Sequence, residues 1–281
     1  MPSALADLEP AAAWIDALAH DRPLRDDDAA LAQALVCRGG AIGSRARTRP
    51  LVRTRKTSVS DFVTQADHEA ERDIVAALRA LRPDDAIVGE EGSARAGRSG
   101  RTWIIDPIDG TYNYASGIGR WCSAIALRYA DGRLVGAVRA QESDETWVGR
   151  AAAHGPGELW LNGKRLPALR DAPLAEVAIC TYLHPTRMTE PDAVEPWLAA
   201  AAGSATVRML GSGSLDLAAV ATGRAGGFLH SDTADWDWFP GLALVRAAGG
   251  VGEILHHRGH RWHLAGPAQV VADLGARLLS S

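Results

Sequence analysis

The sequence predicts an α/β fold, α+β in its first half, with layered sheets and helices in two lobes. Three observations predict it. Asp131-Gly132 and Asn162-Gly163 separate apolar or alternating runs, which is the turn chemistry of β-hairpins. Beyond Val177, strand-like and helix-like segments alternate as in βα units. Trp103-Ile104-Ile105 is a short, wholly apolar run before a turn signal, as expected of a strand covered on both faces. The 281 residues suffice for one large domain or two lobes. We read 1–281 as a single domain with a soft lobe boundary near 150, giving an α+β lobe (1–150) and an α/β lobe (151–281).

The elements follow in order. Residues 8–20 and 26–44 read as helices, the second rich in Ala and Leu after Asp26-Asp27-Asp28. A helix over 67–81, with Glu71, Ile74, Val75 and Leu78 at helical spacing, stops before Arg82-Pro83. Ala86 to Val88 reads as a short strand ending at Gly89-Glu90-Glu91-Gly92. Trp121–Tyr129, Leu134–Gln141, Thr146–Arg150 and the Leu159–Leu166 hairpin extend the antiparallel part. Val177–Leu183 is a strand, and Pro191 opens a helix over 190–202. Val207–Leu210, Ser214–Thr222, Gly227–His230, Asp237–Ala248 and Val251–Leu255 then alternate strand and helix.

Composition excludes several classes. A formal charge of -4 argues against nucleic acid as the main partner, because phosphate backbones select clustered Lys and Arg. The one basic run, Arg45 to Lys56, reads as a loop. Cys37, Cys122 and Cys180 are far apart and form no CxxC pair, so we expect small buried thiols in a reducing, cytoplasmic setting. No apolar run is long enough to span a bilayer, and the acidic N-terminus does not read as a signal peptide.

Four acidic segments carry the chemistry. In Asp106-Pro107-Ile108-Asp109-Gly110-Thr111, two aspartates sit where the strand ends, the place where open α/β sheets hold ligands. Carboxylates this close repel unless a cation lies between them, and hard divalent cations take oxygen ligands. Asp-Pro-x-Asp-Gly is also a common turn string, so this segment alone does not decide. Asp67 precedes the 67–81 helix and fits an N-cap as well as a ligand. Glu90 and Glu91 end a strand. Asp237, in Ala234-Asp235-Trp236-Asp237, likewise fits an N-cap, which would place Pro240 in the first helical turn. Together the four read as a cage for more than one metal ion.

The set resembles the inositol monophosphatase family of metal-dependent, often lithium-sensitive sugar phosphatases. The family's Trp-x-x-Asp-Pro-x-Asp-Gly-Thr-x-Asn-Phe motif is matched by Trp103 to Tyr114. Gly-Glu-Glu is matched by Gly89 to Glu91, and Asp-x-Val-Thr-x-x-Asp by Asp61 to Asp67. Trp-Asp-x-Ala-x-Gly corresponds to Trp236 to Gly241, with Val245 to Gly250 following. The motifs stand in the family's order over roughly residues 26 to 275, leaving the first 25 or so as an extension.

The resemblance implies a five-layer αβαβα sandwich, a homodimer, and a Mg²⁺-dependent phosphomonoesterase using two or three ions. It implies that Glu90, Asp106 and the Ile108 carbonyl bind one ion. Asp106, Asp109 and Asp237 bind a second, and Asp67 contacts a weaker third. Thr111, with Asp67 or Glu90, orients the attacking water. Gly110, Thr111, Gly211, Ser212, Asp109 and Asp237 contact substrate, and Lys56 belongs to a loop near the metals. Two ions hold the attacking and leaving oxygens of a phosphate monoester and acidify a bound water, so neither a Ser-His-Asp set nor a nucleophilic Cys is required. The expected substrate is a small polyol or sugar phosphate, most of all inositol monophosphate. Histidinol phosphate, fructose 1,6-bisphosphate and 3′-phosphoadenosine phosphate are the alternatives, with an inactive binding protein on the same fold behind them. A nucleotide switch would need G-x-x-x-x-G-K-[ST], which the chain lacks.

One position departs from the family. Many inositol phosphatases carry a Glu where this chain has His230, unless Asp232 or Asp235 takes that place. A histidine facing the pocket would donate, accept or carry charge near neutral pH. His256, His257, His260 and His263 suggest a metal cluster at first sight but read better as a hairpin of solvated histidines turning at Arg258-Gly259. Trp236 and Trp238, on either side of Asp237, are expected to help wall the pocket.

Overall fold

The computed structural model describes residues 8–48, 53–55, 62–155 and 157–281. Lys56 and Asp61 lie outside the described residues. The chain opens with α1 (Ala11–His20), α2 (Arg22–Asp26) and α3 (Asp28–Ala46). A two-stranded ribbon, β1 (Arg53–Arg55) with β2 (Phe62–Thr64), leads into α4 (Gln65–Leu81). The extension before residue 25 therefore includes helix, and its Leu18 is buried against the α3–α4 core with Trp14 and Ile15 packed beside it. The basic run is only partly loop. Arg45 belongs to α3 and pairs with Glu69, and Arg47 caps α3 and pairs with Glu142.

The first sheet comprises β3 (Ala86–Gly89), β4 (Ala94–Arg95), β5 (Arg101–Asp109), β6 (Cys122–Tyr129), β7 (Leu134–Ala140), β8 (Glu145–Ala151), β9 (Glu158–Leu161) and β10 (Lys164–Arg165). Its order is β10-β9-β8-β7-β6-β5-β3-β4, antiparallel except for the parallel pair β3 and β5. A short helix, α5 (Thr111–Ser116), links β5 to β6. The second half supplies β11 (Ala178–Tyr182), α6 (Pro191–Ala201), β12 (Thr206–Arg208), α7 (Gly213–Ala221), β13 (Gly227–Ser231) and α8 (Asp235–Ala247). It closes with β14 (Val251–His257), β15 (His260–Gly266) and α9 (Ala268–Leu279). The second sheet runs β12-β11-β13-β15-β14, parallel from β12 to β13 and antiparallel beyond.

Three apolar clusters glue five layers together. Leu31, Leu35, Ile74 and Leu78 of α3 and α4 meet Trp103, Ile105, Leu127 and Val135 on one face of the first sheet. The other face, with Val138 and Trp147, meets Leu217, Leu244 and Val245 of α7 and α8, which also cover Cys180 and Phe228 of the second sheet. Ile179, Leu229 and Leu264 point the opposite way, onto Val270, Leu274 and Leu278 of α9 and Ala200 of α6. Successive strand residues serve opposite clusters, the period of two that pleating imposes. Burial on both faces explains why these strands read as apolar runs. This is the αβαβα sandwich expected from the motifs.

The central helices need close approach. A Cβ on Gly136 of β7 would lie 2.5 Å from the Pro240 carbonyl oxygen, and one on Gly241 2.3 Å from Leu217 Cβ. Glycine at both positions lets α8 press against the first sheet and against α7. The Asn162-Gly163 and Arg258-Gly259 turns have positive φ at both central residues, as type I′ hairpins require.

Candidate active site

Asp106 and Asp109 are three residues apart, so a regular strand would send their side chains to opposite faces. β5 does not end at Ile105, as its apolar run suggests, but carries both aspartates. Its register against β6 shifts between Asp106 and Asp109, around Pro107. Such an irregularity re-aims a side chain. Carboxylate oxygens of Asp106, Asp109 and Asp237 consequently lie within 4.8 Å of one another. Asp237 arrives from the first turn of α8. It is not the N-cap; Ala234 is, because the helix starts at Asp235, which puts Pro240 beyond the first turn.

Glu90 completes the group. β3 runs parallel to β5 with Gly89 level with Ile105, and the Glu90 amide donates to the Ile105 carbonyl at 3.1 Å. Pairing thus sets Glu90 beside Asp106. Burial first, then Glu90, Asp109 and Asp237, push Asp106 well above the usual carboxylate range. The turn after Glu90 is held by a residue that the sequence reading passed over as helical. Glu71 is buried and accepts from the Glu91 amide at 2.9 Å and the Ser93 amide at 3.0 Å. Helical spacing marked Glu71 as one of the inward positions, which for a charged residue was the available signal.

Asp67 is the third residue of α4, not its N-cap. Thr64 caps the helix, and Asp67 answers it in a capping box, accepting from the Thr64 amide at 3.0 Å. Its other oxygen lies 3.4 Å from Thr111 Oγ1, whose single proton has the nearer Ile108 carbonyl, at 3.0 Å, as its alternative acceptor. Burial chiefly, opposed by the Thr64 bonds and aided by Glu91, raises Asp67 to about 6.

Asp109 is received by the start of α7. Ser212 Oγ donates at 3.0 Å, the Gly213 amide at 3.2 Å and the Ser214 amide at 2.6 Å. Amides at a helix N-terminus suit a negative charge. Ser212 also caps α7, so its hydroxyl serves the fold as well as the site. Gly110, with φ +87, caps α5 in a conformation natural to glycine, and a Cβ there would lie 3.0 Å from the Arg120 and Gly211 carbonyl oxygens. Asn113 Nδ2 binds the Arg120 carbonyl at 2.9 Å and the Leu210 carbonyl at 2.8 Å, tying α5 to the loop before α7. Arg120 in turn reaches Asp216 of α7 at 2.8 Å. Asn113 lay inside the matched motif; the Arg120–Asp216 pair, 96 residues apart, left no sequence signal.

His230 stacks on Phe228 with ring centroids 4.1 Å apart, and its Nε2 is buried with no hydrogen-bond partner among the described residues. Burial, then neighbouring His263, lowers it to about 3, so it does not carry charge near neutral pH as its residue type suggested. Asp232 does not stand in for the missing Glu. It accepts from the Arg261 amide at 2.9 Å and pairs with Arg187 and His260. The histidine hairpin forms, but His263 is fully buried rather than solvated, and burial lowers it to about 4. Trp238 is a core residue against Phe228, not a pocket wall, and Trp236 is half-buried. Because His230 and His263 titrate lower in the fold than unfolded, the unfolded chain binds more protons as pH falls below about 6.5. The two histidines therefore remove stability with acid in that window, against the buried carboxyls Asp67 and Asp106, whose raised values add it. His230→Phe is expected to make Tm at pH 5 higher relative to pH 7 than in the wild type, and an unchanged difference between the two pH values would contradict the neutral-histidine assignment.

The donor set suits a metal. Asp106 Oδ1 is buried and has no hydrogen-bond partner among the described residues, and a buried carboxylate oxygen without partner is costly unless a cation meets it. The ligands are all oxygens, the preference of hard divalent ions. A sequence model of the inositol monophosphatase family matches residues 25–277. The chain is 38% identical to an inositol-1-monophosphatase of Rhizobium meliloti over 194 residues, covering 68% of this chain and 71% of that one. It is 37% identical to the Nus factor SuhB of Pseudomonas aeruginosa over 213 residues, covering 72% and 75%. An inositol monophosphatase structure from Anabaena superposes with a TM-score of 0.74 at 25% identity, covering 90% of this chain and 95% of that one. The motif order, the layered fold and these likenesses agree: the chain belongs to the inositol monophosphatase family, a metal-dependent family of phosphatase hydrolases.

Proposed function

We propose that the protein is a Mg²⁺-dependent phosphomonoesterase for small polyol and sugar phosphates that accepts inositol monophosphate, working by direct attack of water. The carrying observation is the convergence of Asp106, Asp109 and Asp237 on one point with Asp106 Oδ1 unpartnered. Glu90, Asp106 and the Ile108 carbonyl would hold one Mg²⁺, and Asp106, Asp109 and Asp237 a second, with Asp67 beside a third. When bound, such ions neutralise phosphate charge and acidify water. The remaining work belongs to the chain. Thr111 Oγ1, fixed between Asp67 and the Ile108 carbonyl, orients the water lone pair, and Asp67 or Glu90 takes its proton. Amides of Gly110 and Thr111 face the phosphate, and Gly211, Ser212 and Asp237 border the leaving alcohol. His230, neutral, offers that alcohol no charge-assisted bond, which supports broad choice over sharp preference for inositol. A screen of myo-inositol 1-phosphate, histidinol phosphate, fructose 1,6-bisphosphate, 3′-phosphoadenosine phosphate and glycerol 2-phosphate with Mg²⁺ tests the reading. Phosphate release from none of them overturns it.

The same reading entails inhibition by lithium and by excess Mg²⁺, because Asp106, Asp109 and Asp237 would hold a second, exchangeable Mg²⁺ and could hold a competing small cation in its stead. Occupancy of these three carboxylates by the competitor would slow product release. A rate indifferent to high-millimolar lithium contradicts this account of the second site.

A further inference from the structure

The second sheet places one exposed aromatic side chain at the mouth of this site. β11 lies between β12 and β13, and all three run parallel. The chain leaving β12 enters α7, which receives Asp109, and the chain leaving β13 enters α8, which carries Asp237. The carboxyl end of β11 therefore falls between the two loops that feed the site. Its last residue is Tyr182.

The face of Tyr182 follows from the pleat. Ile179 packs toward α9, and Thr181 accepts from Trp197 of α6, so both use the outer face. Cys180 packs in the central cluster beside Asp216 of α7, so Cys180 and Tyr182 use the inner face. From Cys180 to Tyr182 a strand rises about 6–7 Å. From Asp216 back to Ser212 a helix rises about 6 Å. Tyr182 thus stands level with the N-terminus of α7, where the core ends, and is 39% exposed. His230 is its register partner on β13, with ring centroids 6.2 Å apart, and continues onto Phe228. His184 closes the other edge at 6.2 Å.

We propose that Tyr182 is an aromatic platform for the leaving group, against which the ring of a cyclic alcohol, a cyclitol or a pyranose, packs its apolar face while the Gly110 and Thr111 amides face the phosphate end. The platform rests on the phosphomonoesterase reading above. Tyr182, His230 and Phe228 form a wall of rings, tilted by 40° between the first two and stacked between the last two, and His230 adds no charge to it. Such a wall gives a ring-shaped alcohol contact area that an open-chain alcohol cannot match.

The test compares myo-inositol 1-phosphate with glycerol 2-phosphate in the Mg²⁺-loaded enzyme. Tyr182→Ala is expected to raise KM for the inositol ester about tenfold, the size of losing one stacking face, with kcat nearly unchanged. The kcat/KM for glycerol 2-phosphate should stay within about twofold, and Tyr182→Phe should keep wild-type preference. Equal losses on both esters would mark Tyr182 as merely structural, and no loss on either would remove it from the site; both outcomes overturn the platform. Wild-type hydrolysis of the glycerol ester but not the inositol ester leaves the phosphomonoesterase chemistry standing and overturns the platform alone. Hydrolysis of neither ester overturns the platform, and release from none of the five screened esters overturns the phosphatase reading with it.

Discussion

Asp106→Asn is expected to lower phosphate release by about 10²- to 10³-fold, because a catalytic ion supplies several kcal/mol of charge stabilisation. Asp106 is shared by both proposed ion sites, so one substitution weakens both. Asparagine keeps the size and removes one negative charge from a buried group already pushed upward by Glu90, Asp109 and Asp237. The metal-free variant should therefore melt no lower than the metal-free wild type, and often higher. The rise in Tm that Mg²⁺ gives the wild type by binding the folded state should shrink or vanish. A variant that turns over at the wild-type rate, or one that keeps the full Mg²⁺-dependent rise in Tm, contradicts the assignment.

Thr111→Ala should cost about 10²-fold in kcat with little change in KM, the loss expected when the hydroxyl that orients the attacking water toward its proton acceptor is gone. The hydroxyl donates to the Ile108 carbonyl and faces Asp67, and neither partner can orient water alone once it is gone. Thr111→Ser keeps the hydroxyl and should retain most of the activity. Comparable losses in Thr111→Ser and Thr111→Ala would show that the methyl group and the backbone of α5 matter, and not the oxygen. Parallel melting curves of the three proteins separate this from a folding effect.

Much of the fold was legible because it rests on local rules. Hairpin turns at Asn162-Gly163 and Arg258-Gly259, the stop at Arg82-Pro83 and the start at Pro191 are written in a few residues each. The acidic positions were legible as a set because each stands at the end of an element. What the sequence withheld depends on contacts between distant segments. That Asp106 and Asp109 share a face needs the irregularity in β5, which pairing with β6 reveals. That Asp109 sits on the N-terminus of α7 joins residues more than 100 apart. Cap positions were misread at Asp67 and Asp237 for one reason. Any Asp in a first turn satisfies the composition rule, and only the backbone tells the cap from the third helical residue. His230 and His263 were read as polar because of their residue type, while cross-strand pairing and Phe228 and Trp238 bury them into neutrality.

Phosphate release from enzyme stripped with EDTA, assayed before and after Mg²⁺ is restored, tests the central claim that the Glu90–Asp106–Asp109–Asp237 group is a catalytic metal cage. The account predicts no release from the stripped enzyme and full recovery with Mg²⁺. Undiminished turnover by the exhaustively stripped enzyme would contradict it.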